Sequence, residues 1–386
     1  MNILKKFVFT LFIFQANISL AQTIIPSSPE INVESYILMD ASTGKIIASG
    51  NPDSQIDPAS MTKVMSAYVI ADQLKQKLVS FNDLVLVSEK AWKMEGSRTF
   101  IEVGKKVPLI DLLRGLVIQS GNDATVALAE YIAGTEEGFV DVMNAYASEM
   151  GLSNTLFQNS TGLPNPSHFT STRDLAVLGS RLISEFPDHY KLYKEREFTF
   201  NEIRQVNRNK LLWQDDSVDG IKTGFTSSAG YCLISSAQRN GMRLISVVAG
   251  SATSQNTFTS SQRLLEYGFR FFSTKKLLNG NEMIQTSKVW AGKSDSVSLG
   301  LESDLILTVP RATLKTVTFN YKINSNIEAP ISKGMKLGVV DVLSEGKLLT
   351  SKPLIALDAV EEKGFLGRFI DKLILWFINL FDFNND

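Results

Sequence analysis

The chain has 386 residues, a length that suggests two or three domains of ordinary size. Hydrophobic residues make up 44% and charged residues 20%, which excludes a disordered or fibrous chain. The net charge of −1 provides no basic excess, so the composition gives no electrostatic support for nucleic-acid binding. One cysteine (Cys232) and two histidines (His168 and His189) exclude an internal disulfide and a cysteine-based zinc site, and disfavour a histidine-rich centre. We expect no metal and no cofactor.

Residues 1–21 are predicted to be a secretory signal peptide. Lys5 and Lys6 precede an apolar run over 7–14, and Ser19-Leu20-Ala21 is typical of a cleavage site. A transmembrane anchor is the alternative, but the apolar run is far shorter than the roughly 20 residues that a span needs. The protein is therefore expected to be exported.

The next part of the chain, residues 22–276, is predicted to form one α+β domain. It begins and ends with strand-like segments and has helical periodicity in its middle, which differs from a regular βαβ alternation. The expected strands are a hairpin over 34–50 and segments 230–236 and 244–249, and the expected helices are 61–76, 109–118, 124–133, 137–150, 174–185 and 260–271.

A small all-β domain is predicted for residues 277–361. Short strand-like segments separated by turns occupy 296–301, 305–309 and 316–323. In the last of these, apolar and polar residues alternate, which is the period of a half-buried strand.

Residues 362–386 are predicted to form an amphipathic helix that lies in a membrane interface, with Trp376 among its anchors. A transmembrane helix is disfavoured because Arg368, Asp371 and Lys372 fall inside the apolar pattern, each at a cost of roughly 2.5–3.5 kcal/mol near a bilayer centre. A helix docked on the body of the protein is the remaining alternative.

The first candidate for chemistry is the S-x-x-K motif formed by Ser60 and Lys63, which opens a predicted helix after Asp57 and Pro58. Positions i and i+3 share a helix face, so the lysine amine can reach the serine hydroxyl. A desolvated lysine has a lowered pKa and can accept the serine proton. The motif occurs four times in the chain and is weak evidence alone.

Two further tripeptides could complete a site. Ser120 and Asn122 lie on a predicted turn between two helices, where a hydroxyl could relay a proton and an amide could hold a substrate, although turn residues there could also be purely structural. Lys222, Thr223 and Gly224 come just before a strand-like segment. They offer a charge and a hydroxyl to a carboxylate, and a glycine that lets a substrate approach closely.

The ordered set S-x-x-K, S-x-N and K-T-G is typical of penicillin-recognising active-site serine enzymes. Over residues 34–274 the chain resembles the D-Ala-D-Ala carboxypeptidases, the low-molecular-mass penicillin-binding proteins of class C, in stretches such as YILMDASTGKIIASGN, PASMTKVMSAYVI, LLRGLVIQSGNDATVALAEYIAG and VDGIKTGFTSSAGYCLISSA. The resemblance implies a transpeptidase/β-lactamase-like domain, with an antiparallel sheet flanked by helices and an all-helical subdomain. A small all-β domain and an amphipathic anchor helix would follow.

The resemblance also implies the catalytic roles. Ser60 would be the acylated nucleophile, Lys63 its general base, and Ser120 the relay of a proton to the leaving D-alanine. The backbone N–H groups of Ser60 and Phe225 would form the oxyanion hole.

Substrate binding is implied at a second group of residues. Asn122 would bind the substrate peptide, while Lys222 and Thr223 would hold its terminal carboxylate with help from Arg208, and Gly224 would allow close approach. The expected partners are peptidoglycan stem peptides, β-lactams as inhibitors, and a membrane surface contacted by the C-terminal helix. The expected location is the periplasmic side of the inner membrane.

The chain departs from the family at two positions. Several members have a histidine where this chain has Phe225, and some have an arginine in the loop that corresponds to 251–257, which has none here. A class A β-lactamase is disfavoured because no E-x-x-L-N stretch occurs between Asn122 and Lys222. A D,D-endopeptidase and a non-catalytic peptidoglycan-binding or shape-maintenance protein remain as alternatives.

Overall fold

The computed structural model describes residues 25–382 and the side chains of 25–377. The predicted signal peptide lies outside this range. The α-helices are α1 (Lys63–Lys75), α2 (Glu89–Trp92), α3 (Leu109–Arg114), α4 (Asn122–Ala133), α5 (Glu136–Glu149), α6 (Thr172–Glu185), α7 (Pro187–Tyr190), α8 (Leu211–Gln214), α9 (Ser254–Phe271) and α10 (Phe365–Asp382). Short 3-10 turns occupy Ala59–Thr62, Lys191–Lys194 and Thr313–Thr316, and a π turn occupies Gly115–Gln119.

The strands are β1 (Ser35–Asp40), β2 (Ile46–Gly50), β3 (Leu84–Leu86), β4 (Lys106–Pro108), β5 (Glu197–Phe200), β6 (Ile203–Val206), β7 (Val218–Thr226), β8 (Gly230–Arg239), β9 (Met242–Ser251), β10 (Phe272–Leu278), β11 (Gln285–Lys288), β12 (Ser296–Gly300), β13 (Leu305–Pro310), β14 (Val317–Ile323), β15 (Lys336–Ser344) and β16 (Lys347–Ala356).

The first domain is built on an antiparallel five-stranded sheet in the order β2-β1-β9-β8-β7. Both faces of the sheet are covered, because successive residues of β1 enter different cores. Ile37 and Met39 pack with the helical middle of the chain, whereas Leu38 packs with the α9 side. The α+β organisation predicted from the sequence is confirmed, and β7 is an edge strand.

Helix α1 runs through the middle of the helical part of this domain. All residues from Lys63 to Ala71 are buried, so this part of the helix is enclosed and presents no polar face to solvent. Its polar side chains must therefore find partners inside the protein: the Ser66 hydroxyl donates to the carbonyl of Ser160 at 2.6 Å. The same requirement applies to Lys63 and shapes the site described below.

The second domain is built of strands, as predicted, and contains a five-stranded sheet in the order β11-β12-β16-β15-β14. Strands β10 and β13 pair with each other beside the first domain. There the Thr274 hydroxyl donates to the Asp40 carboxylate at 2.5 Å, and Thr308 and Thr43 share a hydrogen bond of 2.7 Å. Side-chain hydrogen bonds therefore join the two domains, in addition to the covalent continuity of the chain.

Two predicted elements differ from the structure. Helix α9 begins at Ser254 rather than at 260, because the Thr253 side chain caps it by accepting from the N–H of Asn256 at 3.1 Å. The K-T-G residues, expected just before a strand, lie within β7. The sequence analysis also did not predict the hairpin of β5 and β6, which comes just before Arg208 in the chain.

The C-terminal segment forms helix α10, as predicted. Within residues 25–382, no helix combines the length and apolar character needed to cross a bilayer. The Asp371 carboxylate accepts hydrogen bonds from the N–H of Ala291 at 2.9 Å and from Lys363 Nζ at 3.0 Å. One side of the helix is therefore bound to the second domain.

Candidate active site

Ser60 and Lys63 lie at the start of the buried helix. Lys63 is fully buried, and its Nζ lies 3.1 Å from Ser60 Oγ, 2.7 Å from Asn122 Oδ1 and 2.7 Å from the carbonyl oxygen of Thr161. The contact between Lys63 and Ser60 is the one that the i, i+3 spacing predicts. The contact with Asn122 places the second tripeptide of the ordered motifs beside the first. Lys63 Nζ thus has three oxygen atoms within hydrogen-bond distance.

The pKa of Lys63 is lowered to about 7. Burial is the main cause, the positive charge of Arg208 adds to it, and the negative charge of Asp123 opposes it. An amine with this pKa is largely neutral just above neutral pH. Its lone pair can then accept the proton of the Ser60 hydroxyl, which is the role expected of a general base.

The turn that carries Ser60 is held from two sides. The Asp57 carboxylate accepts from the N–H of Ala59 at 2.9 Å. Gly162 passes directly beneath this turn, because a Cβ at Gly162 would lie only 1.7 Å from the Ala59 carbonyl oxygen. Gly162 also has a φ of +84°, so a side chain there would be excluded both by contact and by conformation.

The S-x-N tripeptide follows the π turn. Ser120 has a φ of 64°, in the left-handed region, and its buried Oγ has no hydrogen-bond partner among the described residues. Asn122 uses its amide to bind the protein: Oδ1 accepts from Lys63, and Nδ2 donates to the carbonyl of Glu95 at 2.6 Å. The Ser120 hydroxyl is therefore available to a ligand, while one N–H of Asn122 is already engaged.

Asp123 is a residue that the sequence analysis missed. Its fully buried carboxylate accepts from the backbone N–H groups of Thr99 at 2.8 Å, Phe100 at 2.9 Å and Ala124 at 2.8 Å. The neighbouring N–H of Asn122 donates to the carbonyl of Ser97 at 2.7 Å. Asp123 thereby holds the segment 97–101 against the S-x-N turn. Its position in the first turn of a helix, directly after the motif, was the available signal.

The K-T-G residues form the third motif. They lie on the edge strand β7, next to the first two motifs. Lys222 is buried, and its Nζ donates to the carbonyl of Thr223 at 3.1 Å. Burial, followed by the nearby charges of Lys63 and Arg208, holds the pKa of Lys222 well below its usual value. Across residues 25–377 no ion pair forms with Lys222 or with Arg208. The site therefore brings together basic side chains that no carboxylate of the described residues pairs with.

A cavity of about 550 Å³ connects these groups. It is lined by the predicted site residues Ser60, Ser120, Asn122, Arg208, Thr223, Gly224 and Phe225. The side-chain amino groups of Lys63 and Lys222 are buried beside it. Gly224 packs closely against the turn that carries Ser60, since a Cβ there would lie 3.2 Å from Ala59 Cβ. All nine residues singled out from the sequence thus meet in one region.

The two histidines do not contribute a base. His168 is buried, with Nε2 2.9 Å from Thr62 Oγ1 and Nδ1 accepting from the N–H of Gln158, and burial lowers its pKa to about 4. His189 is buried as well, and its pKa is also lowered to about 4 by burial. Both are buried packing residues, and neither lies at the surface. Cys232 is a free cysteine and is buried.

Comparison with known proteins identifies the class. Residues 22–253 match the family model described as D-alanyl-D-alanine carboxypeptidase, and residues 272–362 match that of the penicillin-binding protein 5 C-terminal domain. The chain belongs to the D-alanyl-D-alanine carboxypeptidase family, whose members are serine hydrolases. The predicted family, fold and enzyme class are confirmed.

Individual relatives cover nearly the whole chain. The carboxypeptidase DacC of Escherichia coli K12 is 42% identical over 95% of this chain and 94% of its own, and DacA of the same strain is 42% identical over 98% of both. The crystal structure of penicillin binding protein 5 from Haemophilus influenzae superposes with a TM-score of 0.84 at 41% identity, covering 87% of this chain and 100% of that one. The similarity therefore extends through both domains.

The lowered pKa of Lys63 predicts a pH profile. Because only the neutral amine accepts a proton, we expect the acylation rate with benzylpenicillin to fall about tenfold per pH unit below an apparent pKa near 7. Replacement of Arg208 by alanine removes a neighbouring positive charge, so the pKa of Lys63 rises and this limb of the profile moves to higher pH. Stopped-flow acylation between pH 5 and 9 measures both.

The matched control for this profile is Arg204→Ala, which removes an exposed arginine of β6 that pairs with Glu197. We expect its pH limb to coincide with that of the wild type. A flat profile, or a limb unmoved by Arg208→Ala, would contradict the assignment of Lys63 as the base.

Asp123→Asn is expected to weaken both the fold and the site. An amide replaces one acceptor oxygen by an N–H group that faces backbone donors, so the free energy of unfolding should fall by about 3 kcal/mol. Loss of the negative charge should also lower the pKa of Lys63. Denaturant unfolding and the acylation pH profile test the two effects, with the exposed Asp141→Asn as control. Unchanged unfolding would refute the structural role.

Proposed function

We propose that the chain removes the terminal D-alanine from peptidoglycan stem pentapeptides through an acyl-enzyme on Ser60. The observation that carries this proposal is the buried Lys63 amine 3.1 Å from Ser60 Oγ, with its pKa lowered to about 7. A nucleophile and a base at this distance, beside a cavity that holds unpaired cations, suit a peptide with a free terminal carboxylate.

The first step is acylation. Ser60 Oγ attacks the carbonyl carbon of the penultimate D-alanine as Lys63 Nζ takes the hydroxyl proton, and the N–H groups of Ser60 and Phe225 stabilise the tetrahedral oxyanion. The unpartnered hydroxyl of Ser120 then passes a proton from Lys63 to the nitrogen of the leaving D-alanine. The C–N bond breaks, and an ester joins Ser60 to the shortened peptide.

The second step is hydrolysis of this ester. A water molecule gives its proton to neutral Lys63 and attacks the ester carbonyl within the same oxyanion site. Collapse of the tetrahedral intermediate returns the proton to Ser60 Oγ and releases a peptide that ends in one D-alanine. The enzyme is then back in its starting protonation state.

Charge in the cavity supports recognition of the terminal carboxylate. Lys222 and Arg208 have no ion-pair partner in the part of the chain that the structure describes, and the Thr223 hydroxyl lines the same cavity. A carboxylate placed among them gains charge-assisted hydrogen bonds and relieves the repulsion between the cations. A β-lactam offers the same pairing of a carboxylate with a reactive carbonyl, and opening of its ring would leave a penicilloyl ester on Ser60.

Ser60→Ala tests the assignment of the nucleophile. Incubation of the wild type with benzylpenicillin should add one mass equivalent of the drug, and the variant should show no adduct. Release of D-alanine from Nα,Nε-diacetyl-L-lysyl-D-alanyl-D-alanine should fall by about 10⁴-fold or more in the variant. Intact-mass spectrometry and a D-alanine assay measure these results.

A control variant is available within the chain. Ser42→Ala alters another S-x-x-K serine, one that is exposed in the turn between β1 and β2. It should keep both the adduct and the D-alanine release. Undiminished release from Ser60→Ala would refute the mechanism, and cleavage of crosslinked dimers but not of the monomeric pentapeptide would favour an endopeptidase.

We also propose that the exported protein is held at a membrane surface by α10. Large apolar side chains of this helix are exposed, among them Phe369, Leu373 and Trp376 at 59%, 46% and 59%. Asp371 binds the second domain, so the apolar side faces away from the protein. A helix with this division of residues is suited to the boundary between headgroups and acyl chains.

Leu373→Asp is expected to weaken binding to vesicles of phosphatidylethanolamine and phosphatidylglycerol by at least about tenfold, because a buried leucine contributes roughly 1.5–3 kcal/mol and the new charge repels anionic lipid. The control is Leu86→Asp, which alters a leucine of β3 that is similarly exposed. Co-sedimentation of the full chain measures the effect. Equal binding of the two variants would rule out α10 as the contact.

A further inference from the structure

The turn that carries Ser60 packs against one loop of the first domain. This loop, residues 157–168, lies between α5 and α6, and we call it the support loop. The carbonyl of its Thr161 accepts from Lys63 Nζ at 2.7 Å, and its Gly162 passes beneath the turn. The support loop therefore contacts the lysine directly and the serine through its turn.

The support loop is braced from inside and from outside. The Asn159 side chain accepts from the N–H groups of Thr161 at 3.2 Å and Gly162 at 2.7 Å. The buried Glu136 carboxylate of α5 accepts from the N–H of Ser160 at 3.1 Å and from its hydroxyl at 2.7 Å. The loop is therefore a fixed surface against which the turn can be held.

His168 joins the turn to this loop. Its Nδ1 accepts from the N–H of Gln158 at 3.2 Å, and its Nε2 lies 2.9 Å from Oγ1 of Thr62, which belongs to the S-x-x-K motif. A backbone N–H group can only donate, so Nδ1 has no hydrogen, and in the neutral ring the hydrogen lies on Nε2. His168 thus accepts from the loop and donates to the turn. We call these two hydrogen bonds the His168 link.

The imidazole stays neutral over the pH range in which the lysine works. His168 is only 4% exposed, and burial lowers its pKa to about 4, although the negative charge of Asp57 opposes the change. The pKa of Lys63 is about 7, so the amine loses its proton where the imidazole has none to lose. An edge-to-face contact with the Phe157 ring, at 5.7 Å between centroids, holds the imidazole in place. The His168 link is therefore present when the base is active.

The amine of Lys63 cannot adjust to a displaced serine. In its neutral form it has two N–H groups and one lone pair. Asn122 Oδ1 and the Thr161 carbonyl, each 2.7 Å from Nζ, accept the two N–H groups, so the lone pair faces Ser60 Oγ at 3.1 Å. Proton transfer needs this distance and alignment, so the turn must bring the hydroxyl to a fixed lone pair.

We propose that His168 is a positioning residue for acylation: it holds the turn against the support loop so that the Ser60 hydroxyl meets the lone pair of Lys63. The inference rests on the proposed function for the roles of Ser60 and Lys63. Without the bond to Thr62, the turn is free to move away from the loop, and the hydroxyl loses its alignment with the amine. Binding of the substrate carboxylate uses cations on other elements and is not affected.

Thr62→Val tests the His168 link without removing the imidazole. Valine keeps the shape of the buried threonine and lacks the oxygen that accepts from Nε2. We expect the rate constant for acylation by benzylpenicillin to fall about tenfold or more, and the dissociation constant of the initial complex to stay within about twofold. Thr62→Ser, which keeps a hydroxyl, should restore the rate. Stopped-flow kinetics separates the two constants, and a rate constant of Thr62→Val within about twofold of the wild type would overturn the proposal.

A double-mutant cycle tests whether Thr62 and His168 act together. In His168→Asn the shorter side chain can still accept from Gln158 but does not reach Thr62, so its acylation rate constant should fall by a similar factor. The double variant should show no further loss, because both changes break the same bond. Losses that multiply in the double variant would overturn the link between the two side chains.

His189→Asn is the matched control. His189 is as buried as His168, and its two ring nitrogens have no hydrogen-bond partner among the described residues. The variant should lose stability in denaturant unfolding and keep the acylation rate constant of the wild type. An equal loss of rate in His189→Asn would mean that destabilisation, rather than the bond to Thr62, slows acylation, and the proposal would fail.

NMR spectroscopy of protein with ¹⁵N-labelled histidine examines the His168 link without any chemistry. At pH 7 the His168 ring should have its hydrogen on Nε2 and none on Nδ1, and a hydrogen on Nδ1 would overturn the link. Failure of the two proposals is distinguishable. A wild type that benzylpenicillin does not acylate would refute the proposed function, whereas normal acylation of Thr62→Val would refute only the positioning role.

Discussion

The enclosure of one lysine amine inside a helix-lined core is the constraint on which the rest of the site depends. The first nine residues of helix α1 are buried, so Lys63 cannot reach solvent and instead contacts Ser60, Asn122 and the carbonyl of Thr161. Each of these contacts comes from a different part of the chain. The fold thus meets the cost of burying an amine by assembling around it the groups that a serine hydrolase uses.

The groups around Lys63 are held in position mostly by contacts with backbone atoms. Asp123 binds three consecutive N–H groups of 99–101, and Gly162 passes beneath the Ser60 turn where no side chain fits. Thr99, held by Asp123, packs against the glycines on either side of Ser120, since a Cβ at Gly115 or Gly121 would lie within about 2.2 Å of its hydroxyl. The left-handed conformation of Ser120 is therefore maintained by close packing from outside the motif.

The sequence predicted the parts of this arrangement that depend on local spacing or on motif order. The i, i+3 relation of Ser60 and Lys63, the hairpin at the start of the first domain and the alternation in β14 all follow from local periodicity. The carbonyls of Thr161 and Glu95 could not be predicted, because a backbone acceptor has no residue-type signal. The burial of His168 against Thr62 likewise depends on two segments that meet only in the folded chain. The site residue roles and the domain limits at 276 and 361 stay predictions.

The unpaired cations give substrate binding a second effect besides attraction. In the free protein, the charge of Arg208 helps to lower the pKa of Lys63. A carboxylate that binds beside Arg208 offsets this charge, so the amine becomes a stronger base at the moment when the scissile carbonyl arrives. Departure of the free D-alanine carries that negative charge away and weakens the base again. In the proposed mechanism, the carboxylate bound by Arg208 and Lys222 thus also sets the proton affinity of the Lys63 amine, and the basicity of Lys63 follows the occupancy of the site through each turnover.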